Sequence, residues 1–209
     1  MSGPEVVVTR TGTANLASVT AALARLGARP RISGELVDVR RAGLLVVPGV
    51  GTLAAAMESL QENGRDRALR SRIDEGRPTL AICLGMQLLG AGSEESPGSA
   101  GLGALDASAE PFPPGVASPQ LGWNRIEVDP GCELLEAGYV YFANSYRFAR
   151  EPEGWLAASA DHGGRFVAAL ERGAVLACQF HPELSGELGL GILRRWIGAG
   201  AAAGVGARC

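Results

Sequence analysis

Two short apolar runs that break off into small residues constrain this chain more than any other feature. Leu44-Leu45-Val46-Val47 runs into Pro48-Gly49-Val50-Gly51, and Thr79-Leu80-Ala81-Ile82 runs into Cys83-Leu84-Gly85. Apolar runs without alternation suit strands buried on both faces, as in a parallel sheet. Helix-like segments follow both, from about Thr52 and from Leu84. The same rhythm begins earlier: Val6-Val7-Val8 is followed by residues 15–26, where Leu16, Val19, Leu23 and Leu26 share one helical stripe and Gly27 closes it. Strand and helix in alternation predict an α/β fold, a mostly parallel open sheet flanked by helices.

The second half changes character. Residues 92–103 are rich in glycine and serine, and residues 111–119 in proline. Short strands are expected at 125–128, 139–143, 155–160, 166–170 and 175–180, with Gly163-Gly164 as a hairpin turn. They predict additional antiparallel strands that extend the same sheet or form a small layer, not a separate domain. A last helix is expected over about 187–197. That leaves a single domain over 1–198 and a low-complexity tail, expected to be disordered, over 199–209.

Composition excludes several functions. The chain has 209 residues, 46% of them hydrophobic, and a net charge of -3, without a charge block suited to nucleic acid or a membrane surface. No apolar run approaches the roughly 18 residues that span a bilayer. The start, MSGPEVVV, lacks a basic segment followed by an apolar one, so a cytoplasmic location is expected. Cys83, Cys132, Cys178 and Cys209 show no paired spacing and are expected as free thiols; with only two histidines, no structural zinc or other metal is expected. All 19 basic residues are arginine, which excludes a lysine phosphate loop and Schiff-base chemistry.

The chemistry-bearing residues fall at the strand ends. Cys83 lies between a strand and a helix start, with Ala81 and Gly85 two residues to either side. Small residues there suit a tight elbow that lifts a nucleophile out of a sheet, and a helix N-terminus favours thiolate. The Leu84 N–H is then one oxyanion donor and the Val50 N–H, in the glycine turn at the neighbouring strand end, a second. His181 in Phe180-His181-Pro182-Glu183 is the expected base, with Glu183 projecting to the same side to orient it. His162, in Asp-His-Gly-Gly, reads as a solvated turn, Glu94-Glu95 as a solvated loop, Trp123-Asn124 as packing at a strand start, and Arg194-Arg195 as a surface pair near a helix C-terminus. Cys178 reads as core.

With these residues in place, the chain resembles the class I, triad-type glutamine amidotransferases, and within them the glutaminase subunits of imidazole glycerol phosphate synthase. The resemblance runs from Val6 to about Trp196. It is carried by the ordered set TANLASV, PGVGT, ICLGMQLLG with SEES, GLG, LGWN, YFANSY and QFHPELSG. It implies a flavodoxin-like fold, with Cys83 as nucleophile, His181 as base and Glu183 as orienter. It implies L-glutamine held near Gly51, by Gln87, and by the backbone around Ser145 and Tyr146, and no cofactor. Ammonia would pass to a partner cyclase of (β/α)8 barrel fold in a heterodimer serving histidine biosynthesis, with Asn15, Trp123 and Asn124 at the interface. Arg10, Gln120, Asn144 and Leu184 depart from the family pattern; at Leu184 a basic residue is usual, so a less acidic partner surface is expected opposite it. Three other readings stay open at this point: the glutaminase of another amidotransferase, a catalytically silent scaffold of the same fold, and a peptidase-like cysteine hydrolase.

Overall fold

The computed structural model describes residues 3–12 and 15–206; Thr13 and Ala14 of TANLASV, and Cys209, lie outside the described residues. β1 (Glu5–Thr9) leads into α1 (Leu16–Arg25), where the Asn15 side chain accepts from the Ser18 N–H and Gly27, at φ 81°, ends the helix. β2 (Arg29–Ser33), α2 (Leu36–Arg41), β3 (Leu44–Gly49), α3 (Leu53–Gln61), α4 (Arg65–Asp74), β4 (Thr79–Cys83) and α5 (Leu84–Leu88) follow. The second half contributes β5 (Gly92–Ser93), β6 (Ser108–Pro111), β7 (Gln120–Val128), β8 (Gly138–Asn144), β9 (Tyr146–Arg147), β10 (Leu156–Asp161), β11 (Arg165–Arg172) and β12 (Val175–Cys178). A 3-10 turn over Pro182–Leu184 then leads into α6 (Gly186–Gly206).

Nine strands form one sheet in the order β2-β1-β3-β4-β12-β11-β10-β7-β8. The pairings from β2 through β12 are parallel, and those from β12 through β8 antiparallel. The later strands therefore extend the first sheet, while β5, β6 and β9 make a small three-stranded set beside it. Side chains alternate cleanly across the parallel half. Val6, Val8, Leu44, Val46, Leu80 and Ile82 enter one core with α1 and α6, whereas Val7, Leu45, Val47 and Ala81 enter the other with α2 to α5. Both faces are dry, which is why these strands carry unbroken apolar runs.

Several elements go beyond the sequence expectations. β2, with the sequence RPRIS, lies at the sheet edge, where proline and arginine are tolerated and no apolar run is needed. α4 is dominated by charge, yet buries Ala68, Leu69 and Ile73 on one side. β7 begins at Gln120, so Trp123 and Asn124 lie within the strand rather than at its start. α6 continues past Ile197 to Gly206, where a disordered tail was expected. The reason is packing: Ala199 lies against the core, and Gly200 lets the helix close on the sheet, since a Cβ there would stand 2.3 Å from Leu44 Cδ2. Arg195 is consequently mid-helix, its Nε donating to the Leu134 carbonyl at 2.8 Å and its guanidinium pairing with Glu136 at 3.0 Å. Among the described residues no helix is long and apolar enough to cross a membrane.

Candidate active site

Cys83 is the last residue of β4 and stands at φ 54°, the one positive φ of a non-glycine among the described residues. Backbone this strained persists only where its surroundings hold it, and it clusters at functional sites. The neighbours show the hold. A Cβ on Gly85 would lie 2.0 Å from the Val47 carbonyl oxygen, so only glycine fits two residues past the cysteine. A Cβ on Gly49, the register partner of Cys83 in β3, would lie 3.0 Å from Leu84 Cβ. The Thr11 hydroxyl donates to the Pro48 carbonyl and so ties the loop after β1 to this turn.

The β12 chain brings up the imidazole. His181 is buried and extended, and its Nδ1 stands 2.8 Å from Glu183 Oε1. Its backbone N–H donates to the Tyr141 carbonyl at 2.9 Å. Ser185, to which the sequence reading assigned no role, clamps the turn: its hydroxyl donates to the His181 carbonyl at 2.6 Å and accepts from the Tyr141 N–H at 2.9 Å. Burial alone would lower the His181 pKa, but Cys83 and Glu183 outweigh it together and raise it to about 10. The imidazole is thus held as the imidazolium across the neutral range. Cys178, fully buried at the end of β12, has its thiol pushed well above the ordinary range by burial, as suits a core residue.

A cavity of about 300 Å³ opens at the elbow. Cys83, Val50, Gly51, Leu84, Gln87, Ser145 and Tyr146 all line it, so every residue expected to bind glutamine or its oxyanion borders one space with the nucleophile, while His181 and Glu183 stand outside its lining. Glu95, expected in a solvated loop, also borders it, beside Thr52 and Asn144. Ser93 Oγ accepts from the Glu95 N–H at 3.2 Å, and Ser96 Oγ accepts from the Ala54 N–H at 3.3 Å, which ties this loop to the start of α3. Gln120 and Asn144 face each other in the β7–β8 register, both buried; the Asn144 amide donates to the Tyr146 carbonyl at 2.9 Å. His162 is not simply solvated: its Nε2 lies 2.7 Å from the Ala117 carbonyl and its ring packs edge-on to Phe112.

Beside the cavity lies an apolar surface. Leu121, Trp123 and Tyr139 are 69%, 56% and 63% exposed on the outer face of β7 and β8, and Leu184 is exposed on the turn that carries His181. Trp123 stacks edge-on with Tyr141, the residue whose carbonyl holds His181. Asn124 is tied inward, its amide donating to the Asp161 carbonyl at 2.7 Å, and Asn15 is occupied in capping α1.

Comparison with known proteins identifies the family of the chain. Residues 18–196 match the family described as glutamine amidotransferase class-I. Imidazole glycerol phosphate synthase subunit HisH of Streptococcus gordonii is 38% identical over 87% of this chain and 90% of its own length. The HisH subunit of Geobacillus kaustophilus is 40% identical over 90% of this chain and 93% of its own. The chloroplastic imidazole glycerol phosphate synthase hisHF of Arabidopsis thaliana is 39% identical over 89% of this chain, which spans 33% of that protein. Among solved structures, a glutamine amidotransferase superposes with a TM-score of 0.75 at 24% identity, covering 93% of this chain and 98% of the other, which speaks to the fold. From the extent of these matches, the chain belongs to the class-I glutamine amidotransferase family.

Proposed function

We propose that this chain is the glutaminase subunit of an imidazole glycerol phosphate synthase, working in the cytoplasm. It hydrolyses L-glutamine and passes the ammonia to a cyclase subunit of (β/α)8 barrel fold, its partner in a heterodimer of histidine biosynthesis. Residues 1–198 form the amidotransferase domain. The observation that carries the reading is the single cavity shared by the strained Cys83, the glycine turn and Glu95. Its volume lies at the small end of the ~300–1,000 Å³ typical of ligand sites, as a single amino acid requires. Glu95 is the one carboxyl side chain lining it, placed to meet an α-ammonium group.

In this reading the Cys83 thiolate attacks the carboxamide carbon, and the oxygen takes up negative charge against the Val50 and Leu84 N–H groups. His181, as imidazolium, gives its proton to the departing amine, which leaves as ammonia while the sulfur keeps the acyl group as a thioester. His181, now neutral, takes a proton from water; hydroxide adds to the thioester, the C–S bond breaks, and glutamate leaves. Glu183 keeps the ring oriented and offsets its charge. Gly51, Gln87, Ser145 and Tyr146 position the substrate.

The apolar face of Leu121, Trp123 and Tyr139, with Asn15, Asn124 and Leu184, supports a docking role because exposed apolar patches of this kind mark interaction sites. Leu184 brings an apolar contact, so the partner surface opposite it is expected to be less acidic. The hisHF protein, of which this chain spans a third, leaves ample length for a second activity.

Glutamate release from glutamine by the purified chain, alone and with its cognate cyclase carrying a phosphoribosyl ligand, tests the proposal. Strong stimulation by the liganded cyclase is expected. Hydrolysis indifferent to the cyclase would assign the chain to another amidotransferase, and no hydrolysis in any mixture would reduce it to a silent scaffold.

A further inference from the structure

Gln179 is fully buried, two residues before His181, and has no role in the chemistry described so far. Alternation along the chain puts both side chains on the same side, toward β4. Cys178 pairs with Ile82 in the parallel register, so Gln179 comes level with Cys83 one step further on. Its Nε2 lies 3.6 Å from Cys83 Sγ, across 96 positions of sequence.

The direction of this hydrogen bond is set from a distance. The Tyr146 carbonyl can only accept, so it takes an N–H from Gln87 at 3.2 Å and fixes which end of that amide is nitrogen. The same Gln87 nitrogen donates its other hydrogen to Gln179 Oε1 at 2.9 Å. Gln179 must then present oxygen to Gln87 and nitrogen to the sulfur. The second neighbour of Sγ is of the opposite kind: the Ala143 carbonyl, an acceptor, at 3.9 Å. Beside the His181 imidazole, the sulfur therefore has one neutral acceptor and one neutral donor. A thiol can donate to Ala143, and a thiolate can accept from Gln179 as well as from His181.

We infer that Gln179 is a further catalytic residue, a neutral donor to the Cys83 sulfur that stabilises the attacking thiolate and, later, the sulfur leaving the thioester. This rests on the reading of Cys83 as the nucleophile. The donor matters because His181 spends its proton on the departing amine and regains one only when water attacks, so its charge beside the sulfur changes during the cycle. A buried amide has no charge to lose and stays in place when sulfur again takes up the electron pair of the C–S bond. Through Gln87, which borders the glutamine cavity, the same amide chain links substrate contact to the state of the sulfur.

The test is the pH dependence of Cys83 alkylation by iodoacetamide in the full chain and in Gln179→Met, which keeps length but removes the donor. The charged groups facing the sulfur are unchanged between the two: His181 with Glu183 behind it, and Glu95 across the cavity. The variant is expected to alkylate about tenfold more slowly at neutral pH, its midpoint about one unit higher, with kcat for glutamine hydrolysis reduced similarly and KM within about twofold. Superimposable alkylation profiles would overturn the inference. Should Gln179→Met fail to fold, the unsubstituted chain decides: the Gln179 side-chain amide resonance, assigned by NMR, should titrate with the alkylation midpoint and stop doing so in Cys83→Ala. A resonance indifferent to pH would overturn the inference. A titrating resonance in a chain that hydrolyses no glutamine would support the donor while refuting the proposed function, so the two failures are distinct.

Discussion

The five-residue strand β4 carries a buried polar centre at each end, and the two are built on opposite terms. At the N-terminal end the guanidinium of Arg72, 1% exposed, reaches Thr79 Oγ1 at 2.9 Å and the carbonyls of Ala42 and Pro78 at 2.7 Å each. Burial lowers its pKa to about 9, and no carboxylate pairs with it; the surrounding oxygens compensate. At the C-terminal end, Cys83 sits in strained backbone, Glu183 Oε2 lacks any hydrogen-bond partner, and a cavity stands open. One end satisfies every direction of its polar group and closes the chain ends of β3 and β4. The other holds strained backbone beside open space, and that space is what a substrate can use. Burial of polar atoms marks both; strained backbone beside an open cavity marks the site.

Substitutions at the two ends should therefore separate activity from stability. Cys83→Ala should reduce glutamine-dependent turnover by roughly 10⁴-fold or more while synthesis from added ammonia by the complex continues. Loss of both activities together would break the division of labour. His181→Ala should cost roughly 10³-fold and Glu183→Gln clearly less, because the second only orients the first; equal losses in single-turnover assays would erase that distinction. Arg72→Met should do the reverse, lowering unfolding free energy in urea by about 3 kcal/mol, since it strands several buried carbonyls, with kcat per folded molecule within about twofold.

Two smaller effects sharpen the contrast. Cys83→Gly should be about 1 kcal/mol more stable than Cys83→Ala, because only glycine relieves the strained φ; equal stabilities would mean the elbow stores no strain. His181 has its pKa raised to about 10 in the fold against roughly 6.5 unfolded, so its stabilising contribution is complete below the lower value. That contribution is lost as pH rises through about 10, and hydrolysis should decline over the same range as the proton donor disappears. A His181→Gln chain should lose less stability between neutral pH and pH about 10 than the wild type in urea titrations.

The contrast also explains what the sequence disclosed. Cys83, Gly85, His181 and Glu183 announce themselves locally, through the small residues around an elbow and a carboxylate two residues past a histidine. The apolar runs of β1, β3 and β4 disclosed the parallel half because both their faces are dry. β2, α2 and α4 stayed hidden because their short apolar stripes are interrupted by arginine and acidic residues. Arg72 in particular looks like any surface arginine until β3 and β4 converge on it. Glu95 and Gln179 were invisible for another reason. Their proximity to Cys83 is created by a folded loop and by the pairing of β12 with β4, neither of which leaves a local pattern.

The most direct test is acid quench of the complex during turnover of glutamine, followed by mass spectrometry of its peptides. The account predicts one γ-glutamyl group on the peptide containing Cys83, absent from Cys83→Ala. An acyl group on Cys132 or Cys178, or turnover with no acyl group on any cysteine, would contradict it.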